Sequence, residues 1–149
     1  MPDPSITAQE TYAGMLRDRI APRLRRLGFR GSGSVFVLPD ADAWMLVAFQ
    51  KDRYSDRHNV RFTVNVTWAD KARWAEARTM MSYMGSRPSG TAVYALPDEA
   101  FRWDRLGTIM PIHRDVWIQV AAGQDTSGTA TDVVAMIETY AVPWLRSRP

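Results

Sequence analysis

Residues 43–68 constrain the fold more than any other part of this sequence, because their two halves are patterned as neighbouring strands of a sheet. The first half, residues 44–49, is apolar at every position, and such a strand must be buried on both faces. In the second half, residues 61–68, polar and apolar side chains alternate strictly. That alternation is typical of a strand with one face on a core and the other facing water or a partner. The polar residues 52–59 between them predict a projecting loop, so we expect a β-hairpin at the centre of the fold.

Helix signals precede this hairpin. Thr7 and Glu10 have the spacing of a capping box, and apolar residues then recur at helical spacing as far as Gly28, a residue type that commonly follows a helix. Pro22 lies inside this pattern and removes a backbone hydrogen bond. The sequence therefore predicts either a kinked helix or two helical pieces that meet near Ala21.

Two further helices are predicted after the hairpin. Asp70 has the character of an N-cap, and the helix that it begins is expected to run to Gly85. The last helix is expected to begin around Thr131 and to be interrupted by Pro143. Residues 31–34 are expected to form a flexible turn. Further short strands are predicted at residues 35–38, 91–96 and 116–121.

These elements predict an α+β fold. We expect an antiparallel sheet of about five strands, with the N- and C-terminal helices packed together on one face and a further helix inserted after the third strand. With 149 residues and a hydrophobic content of 46%, the chain is expected to form one domain over residues 1–149, in which residues 1–6 are a flexible N-terminal arm.

Composition limits the classes of protein to which the chain can belong. The absence of cysteine excludes a disulfide framework and zinc–thiolate chemistry. No apolar run is long enough to span a bilayer, and the N-terminus lacks the charged-then-apolar order of a signal peptide. We therefore expect a cytoplasmic protein that does not bind a membrane.

Arginine supplies 17 of the 19 positive charges, and the formal net charge is only +3. Four arginines of the first helix line up beside its apolar stripe: Arg19, Arg23, Arg26 and Arg30. Such a row is usually a solvated shoulder of the core, although it is also the geometry in which arginines contact a phosphate backbone. We expect the solvated shoulder, so nucleic acid is not the expected partner, and weak nucleic-acid binding is kept as a third hypothesis.

The two histidines, His58 and His113, each lie near an aspartate, as a catalytic base beside an orienting carboxylate would. A small hydrolase-like enzyme would use His113, Asp115 and Arg105. No nucleophile motif or metal-ligand spacing accompanies these residues, and the carboxylates are scattered through turns. The sequence therefore favours solvent-exposed loop histidines, and we predict no catalytic residue, no metal site and no cofactor.

Polar side chains at strand centres indicate a different kind of site. Asn and Gln are disfavoured in strands and are costly to bury without partners, so several of them in one sheet predict a shallow polar groove, with tryptophans as its walls. The candidate binding residues are Gln50, Arg61, Thr63, Asn65, Trp103, Arg105, Trp117 and Gln119. The alternative is an open sheet face on which these side chains meet water or pair with one another.

Four sets of residues have a recognisable order and spacing along the chain. They are Ile20-Ala21-Pro22-Arg23-Leu24 with Leu27-Gly28-Phe29; Phe49-Gln50-Lys51; Val64-Asn65-Val66; and Arg102-Trp103-Asp104-Arg105-Leu106-Gly107 with Asp115-Val116-Trp117. Together they resemble the uncharacterised bacterial family called domain of unknown function 4304. The resemblance extends over residues 13–121 and includes residues 142–145, and residues 69–100 fit least well. It implies a small stand-alone α+β domain and assigns neither an activity nor catalytic residues.

We interpret the sequence as a non-enzymatic domain that binds a protein or a small molecule on a sheet face. An inhibitor or immunity-type protein would be one form of such a domain. The hydrolase-like enzyme is the alternative from another class. The sequence indicates neither the identity of the partner nor the oligomeric state.

Overall fold

The computed structural model describes residues 5–147, so residues 1–4 of the expected N-terminal arm lie outside the described part of the chain. The strands are β1 (Arg30–Ser32), β2 (Val35–Val37), β3 (Ala43–Lys51), β4 (Asn59–Asp70), β5 (Phe101–Arg105) and β6 (Ile118–Ala121). The helices are α1 (Ala8–Met15), α2 (Ala21–Arg26), α3 (Lys71–Met80), α4 (Leu106–Ile109), α5 (Ser127–Met136) and α6 (Val142–Arg146), with π-helical segments at Leu16–Ile20 and Ile137–Ala141.

These strands form one sheet in which every neighbouring pair is antiparallel. The order is β1-β2-β3-β4-β5, and β6 also pairs with β4. Since β5 pairs with residues 65–69 of β4 and β6 pairs with residues 59–62, both lie along the edge of β4 that faces away from β3. The chain leaves this edge after β5, passes through α4 and returns as β6. The predicted α+β fold with an antiparallel sheet and terminal helices is confirmed.

The β3–β4 hairpin lies at the centre of the sheet, and its two strands pair over the whole length of β3. Val47, Phe49, Val64 and Val66 are at most 3% exposed. The continuous apolarity of β3 and the alternation of β4 predict this burial. The ring of Phe49 meets that of Phe36 edge-on, with the centroids 6.0 Å apart. Aromatic pairs favour this arrangement, so the hairpin contributes closely packed aromatic rings to the core.

The first and last helical regions pack together on one face of the sheet. Ile20 and Leu24 from the first region and Ile137 from the last are fully buried in one cluster with the strands. At the surface, the Arg23 guanidinium donates a hydrogen bond of 2.9 Å to the Thr131 hydroxyl and ties the two regions together.

Both helical regions contain a proline, and in both a π-helical segment ends two residues before it. Leu16–Ile20 precedes Pro22, and Ile137–Ala141 precedes Pro143. A proline in an α-helix clashes with the carbonyl four residues earlier, and the wider π turn moves that carbonyl away from the ring. The predicted junction near Ala21 is confirmed, because α2 begins at this residue.

The prediction that residues 31–34 form only a turn is wrong. Arg30–Ser32 pairs with β2 in a tight hairpin, because Gly31 and Gly33 take the positive φ angles, 133° and 68°, that the chain reversal requires. The inserted helix α3 therefore follows the fourth strand and not the third.

The last helix begins earlier than the sequence predicts, at Ser127 instead of Thr131. Asp125 accepts hydrogen bonds from both the hydroxyl and the backbone N–H of Ser127, at 2.7 and 3.0 Å. These two bonds hold the pKa of the Asp125 carboxyl below its usual value. A carboxylate at a helix N-terminus stabilises the helix. This stabilisation offsets the turn-forming residues near Ser127, which kept the sequence pattern from indicating the true start of the helix.

The inserted helix α3 begins as predicted, because Asp70 accepts a hydrogen bond of 2.9 Å from the backbone N–H of Arg73. It ends at Met80, before the predicted end at Gly85. The indole of Trp74 donates to the Gly85 carbonyl at 3.0 Å, and this contact holds the chain that has turned back after the helix.

Residues 81–100, which we call the covering segment, lie over the second face of the sheet, which we define as the face opposite the helical layer. Residues 91–96 do not form the predicted edge strand. Instead Tyr94 packs edge-on against Trp74 and Phe101, with ring centroids 4.8 and 5.2 Å apart. The burial of aromatic rings replaces strand pairing as the interaction that orders this segment.

Candidate functional site

The cross-strand register places seven of the eight predicted binding residues on the second face. Residues that pair across neighbouring strands project to the same side of a sheet. The relevant pairs are Gln50 with Thr63, Asn65 with Arg105, Arg61 with Gln119, and Thr67 with Trp103. Trp117 lies two residues before Gln119, and its ring contacts both Arg61 and Arg105. The structure thus brings together residues from four strands that are far apart in the sequence.

Arginine and tryptophan alternate along the accessible part of this face. The Arg61 guanidinium lies 5.6 Å from the centre of the Trp117 ring, and the Arg105 guanidinium lies 5.2 Å from the same ring. Arg105 also lies 5.3 Å from the Trp103 ring. These distances are those of cation–π contacts. We call these four residues the Arg–Trp row; Arg61 is exposed and the other three are half-buried.

Arg105, at the centre of the row, has unused hydrogen-bonding capacity. Its guanidinium carries five N–H donors, and its side chain makes one hydrogen bond within residues 5–147, a long one of 3.4 Å to the Gln50 amide oxygen. Arg61 differs, because its guanidinium lies 3.2 Å from the carboxylate of Asp52, whose side chain is only 16% exposed. No carboxylate in the described part of the chain pairs with Arg105. The positive charge at the centre of the row is therefore uncompensated within this range.

Asn65 ties the covering segment to the sheet. Its side chain is fully buried, and its amide nitrogen donates to the Gln50 amide oxygen at 2.9 Å and to the Gly90 carbonyl at 3.1 Å. The backbone of Gly90 approaches β3 so closely that a Cβ there would overlap the Cβ of Ala48. Asn65 thus holds neighbouring parts of the structure together and is not accessible from outside.

The expectation that the polar face of β4 meets water or a partner is wrong at Thr63, Asn65 and Thr67, which are at most 1% exposed. The Thr63 hydroxyl donates to the Val116 carbonyl at 3.0 Å, because the returning chain before β6 passes over it. The sequence alone contains no sign of this cover. The accessible members of the predicted set are Gln50, Arg61, Trp103, Arg105, Trp117 and Gln119.

Three buried polar atoms on the second face have no hydrogen-bond partner among the described residues. They are the Asn65 amide oxygen, the Thr67 hydroxyl and the Trp103 indole nitrogen. A buried polar group without a partner costs about 1–3 kcal/mol. The covered part of this face is therefore less stable than an apolar surface of the same shape would be.

Some residues that complete the surface were missed by the sequence analysis. Asp115 accepts a hydrogen bond from the Trp117 indole at 3.2 Å, and the Asn59 amide oxygen accepts one from Gln119 at 2.7 Å. Asp52 compensates Arg61, and Gly90 accepts from Asn65. The sequence showed Asp52 and Asn59 only as loop residues, because their roles depend on a strand register that the sequence does not reveal.

The residues of the hydrolase hypothesis have separate partners in the structure. The exposed His113 ring has its Nδ1 atom 3.2 Å from the Thr108 carbonyl, Asp115 accepts from Trp117, and Arg105 belongs to the Arg–Trp row. Among the described residues, no hydrogen bond links His113 to Asp115 or to Arg105. The geometry adds no support to this hypothesis.

His58 lies in the exposed hairpin loop. Its backbone N–H, and not its ring, is hydrogen-bonded to Asp56. The Asp56 carboxylate accepts from the backbone N–H groups of Asn59 and His58 at 2.9 and 2.8 Å. These bonds, chiefly that from Asn59, hold the pKa of Asp56 below its usual value. Asp56 therefore shapes the hairpin loop.

The predicted arginine stripe is dispersed. Arg19 lies 3.8 Å from the Asp125 carboxylate, and Arg23 donates to Thr131. Arg30 is not helical, since it pairs with Val37 in the β1–β2 hairpin. The π-helical segment and the early end of α2 break the spacing on which the stripe depended.

Residues 5–147 contain neither a metal-binding cluster nor a membrane-spanning helix. No group of three or more histidine and carboxylate side chains is close enough to hold a metal ion. None of the helices in this range combines the length and the hydropathy needed to cross a bilayer.

Comparison with curated proteins and with solved structures gives no match. The model of one protein family, described as Domain of unknown function (DUF4304), matches residues 20–147. This range includes all of the residues on which the resemblance to that family rests, as well as all six strands. The protein therefore belongs to the DUF4304 family.

Proposed function

We propose that this protein is a non-enzymatic binding domain that docks a protein partner on the Arg–Trp row. The observation that carries the proposal is the alternation of two guanidinium groups with two indole rings, each contact between 5.2 and 5.6 Å. Tryptophan and arginine are the side chains that most often dominate the binding energy of protein interfaces. Their mutual stacking also limits their motion before binding, so less conformational entropy is lost when a partner arrives.

The unused donors of the Arg105 guanidinium indicate which chemical group the partner presents to it. A half-buried guanidinium with most of its donors unused matches the two oxygens of a carboxylate. The flanking indole rings suit an apolar or aromatic neighbour of that carboxylate. We therefore expect the partner to place an aspartate or glutamate against Arg105, with an apolar side chain between Trp103 and Trp117.

An inhibitor or immunity-type role is a narrower form of this proposal. It requires that the partner be an enzyme whose activity falls when the domain binds. The Arg–Trp row supports the binding step of such a role, and the activity of the captured partner with and without the domain tests the inhibitory step.

The test is affinity capture with matched variants. The wild-type protein, Arg105→Ala, Trp117→Ala and the control Arg26→Ala are immobilised, and proteins retained from an extract of the source cells are identified by mass spectrometry. Arg26 is an exposed arginine of α2 outside the row. Arg26→Ala therefore removes the same charge as Arg105→Ala, but at a position outside the proposed binding surface.

We expect a partner that the wild type and Arg26→Ala retain and that both row variants lose. Calorimetry on the purified pair should show at least about 30-fold weaker binding for Arg105→Ala, the size expected for a residue that dominates an interface. Melting temperatures establish that each variant is folded. Partners that bind all four proteins equally, or no specific partner for the wild type, would refute the proposal.

A further inference from the structure

A second site of different chemistry lies toward the β1–β2 edge of the sheet, whereas the Arg–Trp row follows the edge formed by β5 and β6. A cavity of about 340 Å³ opens where the β1–β2 hairpin, the beginning of β3, the beginning of α3 and the covering segment meet. This volume is in the range of small-molecule sites. Its lining residues are Arg30, Gly31, Val37, Pro39, Asp40, Ala43, Trp44, Lys71 and Arg87. None of them belongs to the predicted binding set.

Positive charge converges on this cavity from three separate elements. Arg30 comes from β1, Lys71 from α3 and Arg87 from the covering segment, and Asp40 is the one acidic residue of the lining. The lining therefore carries three positive charges and one negative charge, a formal charge of +2. Such a concentration in a concave surface attracts anions.

The acidic residue of the lining has a structural role. One carboxylate oxygen of Asp40 accepts from the backbone N–H groups of Asp42 and Ala43, at 3.0 and 2.9 Å. These bonds close the turn between β2 and β3. The carboxylate of Asp40 is therefore explained by the backbone that it holds, and it does not require a cationic ligand.

Lys71 is held in place in the lining of the cavity. Its ammonium nitrogen donates to the Asp40 backbone carbonyl at 2.6 Å and lies 4.7 Å from the centre of the Trp44 ring. Its backbone N–H is also bonded, to the Asp42 carbonyl at 2.8 Å. An ammonium group has three donors, so Lys71 presents the rest from a fixed position.

The remainder of the wall is apolar. Val37, Pro39, Ala43 and the Trp44 ring line it. Gly31 completes the wall, and a Cβ at this position would overlap the Val35 carbonyl oxygen, so the backbone there stays bare. A fully solvated anion such as inorganic phosphate would leave this apolar surface uncovered, whereas a ligand with an apolar body would bury it.

We propose that this cavity binds a small organic anion whose charged group is carried on a flat apolar body. The anionic group lies between Lys71 and the two arginines, Arg30 and Arg87, and the apolar body packs against Val37 and Trp44. The site is independent of the protein-binding surface, so its test does not depend on the proposed function.

Three small probes separate the two parts of this recognition. Benzoate has both the anion and the ring, benzamide has the ring without the charge, and inorganic phosphate has the charge without the ring. Each is titrated into the ¹⁵N-labelled protein while amide and indole signals are followed by nuclear magnetic resonance. We expect benzoate to shift the signals of Gly31, Ala43 and Trp44 in a saturable way, while those of Asn65 and Arg105 stay in place.

Benzoate should bind at least about fivefold more tightly than benzamide or phosphate, the effect expected from ion pairs at a partly exposed site. Its affinity should fall with added sodium chloride, because salt screens these pairs. The double variant Arg30→Ala/Arg87→Ala should lose at least about fivefold in benzoate affinity and leave benzamide unchanged. The control Arg26→Ala/Arg78→Ala removes two exposed arginines outside the cavity and should behave as the wild type.

Four results would each overturn the proposal: equal affinity for benzoate and benzamide, benzoate binding that is indifferent to salt, shifts confined to residues outside the cavity, or no shift at about 50 mM benzoate. The salt titration uses the wild-type protein, so the test stands even if the double variant does not fold.

Discussion

Asn65 and Thr67 occupy successive positions on the same face of β4, and both are fully buried. Their polar atoms differ in hydrogen bonding. The Asn65 amide nitrogen has two hydrogen-bond acceptors, whereas the Thr67 hydroxyl has no partner among the described residues. Hydrogen bonding therefore separates two roles that look alike in the alternating sequence pattern. Asn65 supports the structure, and Thr67 contributes little that a methyl group would not.

This difference predicts opposite outcomes for two matched substitutions. Asn65→Val leaves the Gly90 carbonyl without its donor and should lower the free energy of unfolding by about 1–3 kcal/mol. Each kcal/mol lowers the melting temperature of a domain of this size by about 2–4 °C. Thr67→Val removes an unpaired hydroxyl and adds a residue that favours strands, so the melting temperature should stay the same or rise. Thermal melts of the three proteins provide the measurement. An unchanged melting temperature for Asn65→Val would return Asn65 to an open groove.

Among the elements, the covering segment is the one without regular secondary structure over most of its length. It is held by one close backbone contact at Gly90, by the Trp74–Gly85 hydrogen bond and by the packing of Tyr94. The polar atoms without partners that it covers weaken its hold on the sheet. We therefore expect it to open more readily than the β3–β4 hairpin.

Gly90→Ala tests how the covering segment is seated. The added methyl group would overlap Ala48, so the segment must shift, and we expect a loss of about 1–3 kcal/mol. Hydrogen exchange should quicken for the amides of residues 84–91 and stay unchanged in β3. The control is Gly128→Ala, since Gly128 lies in the first turn of α5 with open space around it, where alanine should be neutral or stabilising. Equal stability of the two variants would show that the segment does not rest on β3 at Gly90.

The central hairpin should respond differently, because its apolar side chains are almost fully buried in the core. Phe49 is 3% exposed and contacts the rings of Phe36 and Phe62. Phe49→Ala should therefore cost about 3–5 kcal/mol, a large share of the stability of a typical domain. Urea denaturation measures this loss, with Tyr54→Ala as the control, because Tyr54 is 75% exposed in the loop of the same hairpin. A variant at Phe49 with wild-type stability would contradict its central position.

At the scale of the whole molecule, the distribution of charge determines which class of partner we expect. A phosphate backbone needs a continuous row of cations, and the first helix does not keep one, since Arg19 and Arg23 have partners on the last helical region. The charge concentrates instead in the cavity beside Lys71, and a single uncompensated guanidinium stands in the Arg–Trp row. This pattern suits small anions and a carboxylate better than a nucleic acid.

We therefore expect no measurable binding of duplex DNA at low salt. Four phosphate contacts by the arginine stripe would give a log–log slope of affinity against salt of about −3.6. Fluorescence anisotropy of a labelled duplex at several salt concentrations distinguishes the two cases. A slope of that size, abolished by Arg23→Ala and Arg26→Ala, would restore the nucleic-acid hypothesis.

The sequence by itself determined the elements whose signals are local. Strict alternation identified β4, continuous apolarity identified the buried β3, and Thr7 and Asp70 marked the helix starts that their side chains cap. Such signals can be read from neighbouring residues, because a strand's faces and a helix's cap depend on spacings of two to four positions. The candidate surface could be foreseen to the extent that its polar and aromatic residues lay in predicted strands.

Only the tertiary structure decided which of those residues are accessible and what they contact. The edge of β4 joins Trp103, Arg105 and Trp117 into one row because β5 and β6 share it, and no local pattern encodes that sharing. The covering segment buries Asn65 because Gly90 can approach β3 without a side chain. The resulting hydrogen bond between Asn65 and Gly90 joins residues 25 positions apart. Strand register and long-range burial depend on the packing of the whole chain, and for this reason the sequence predicted the face but not its cover.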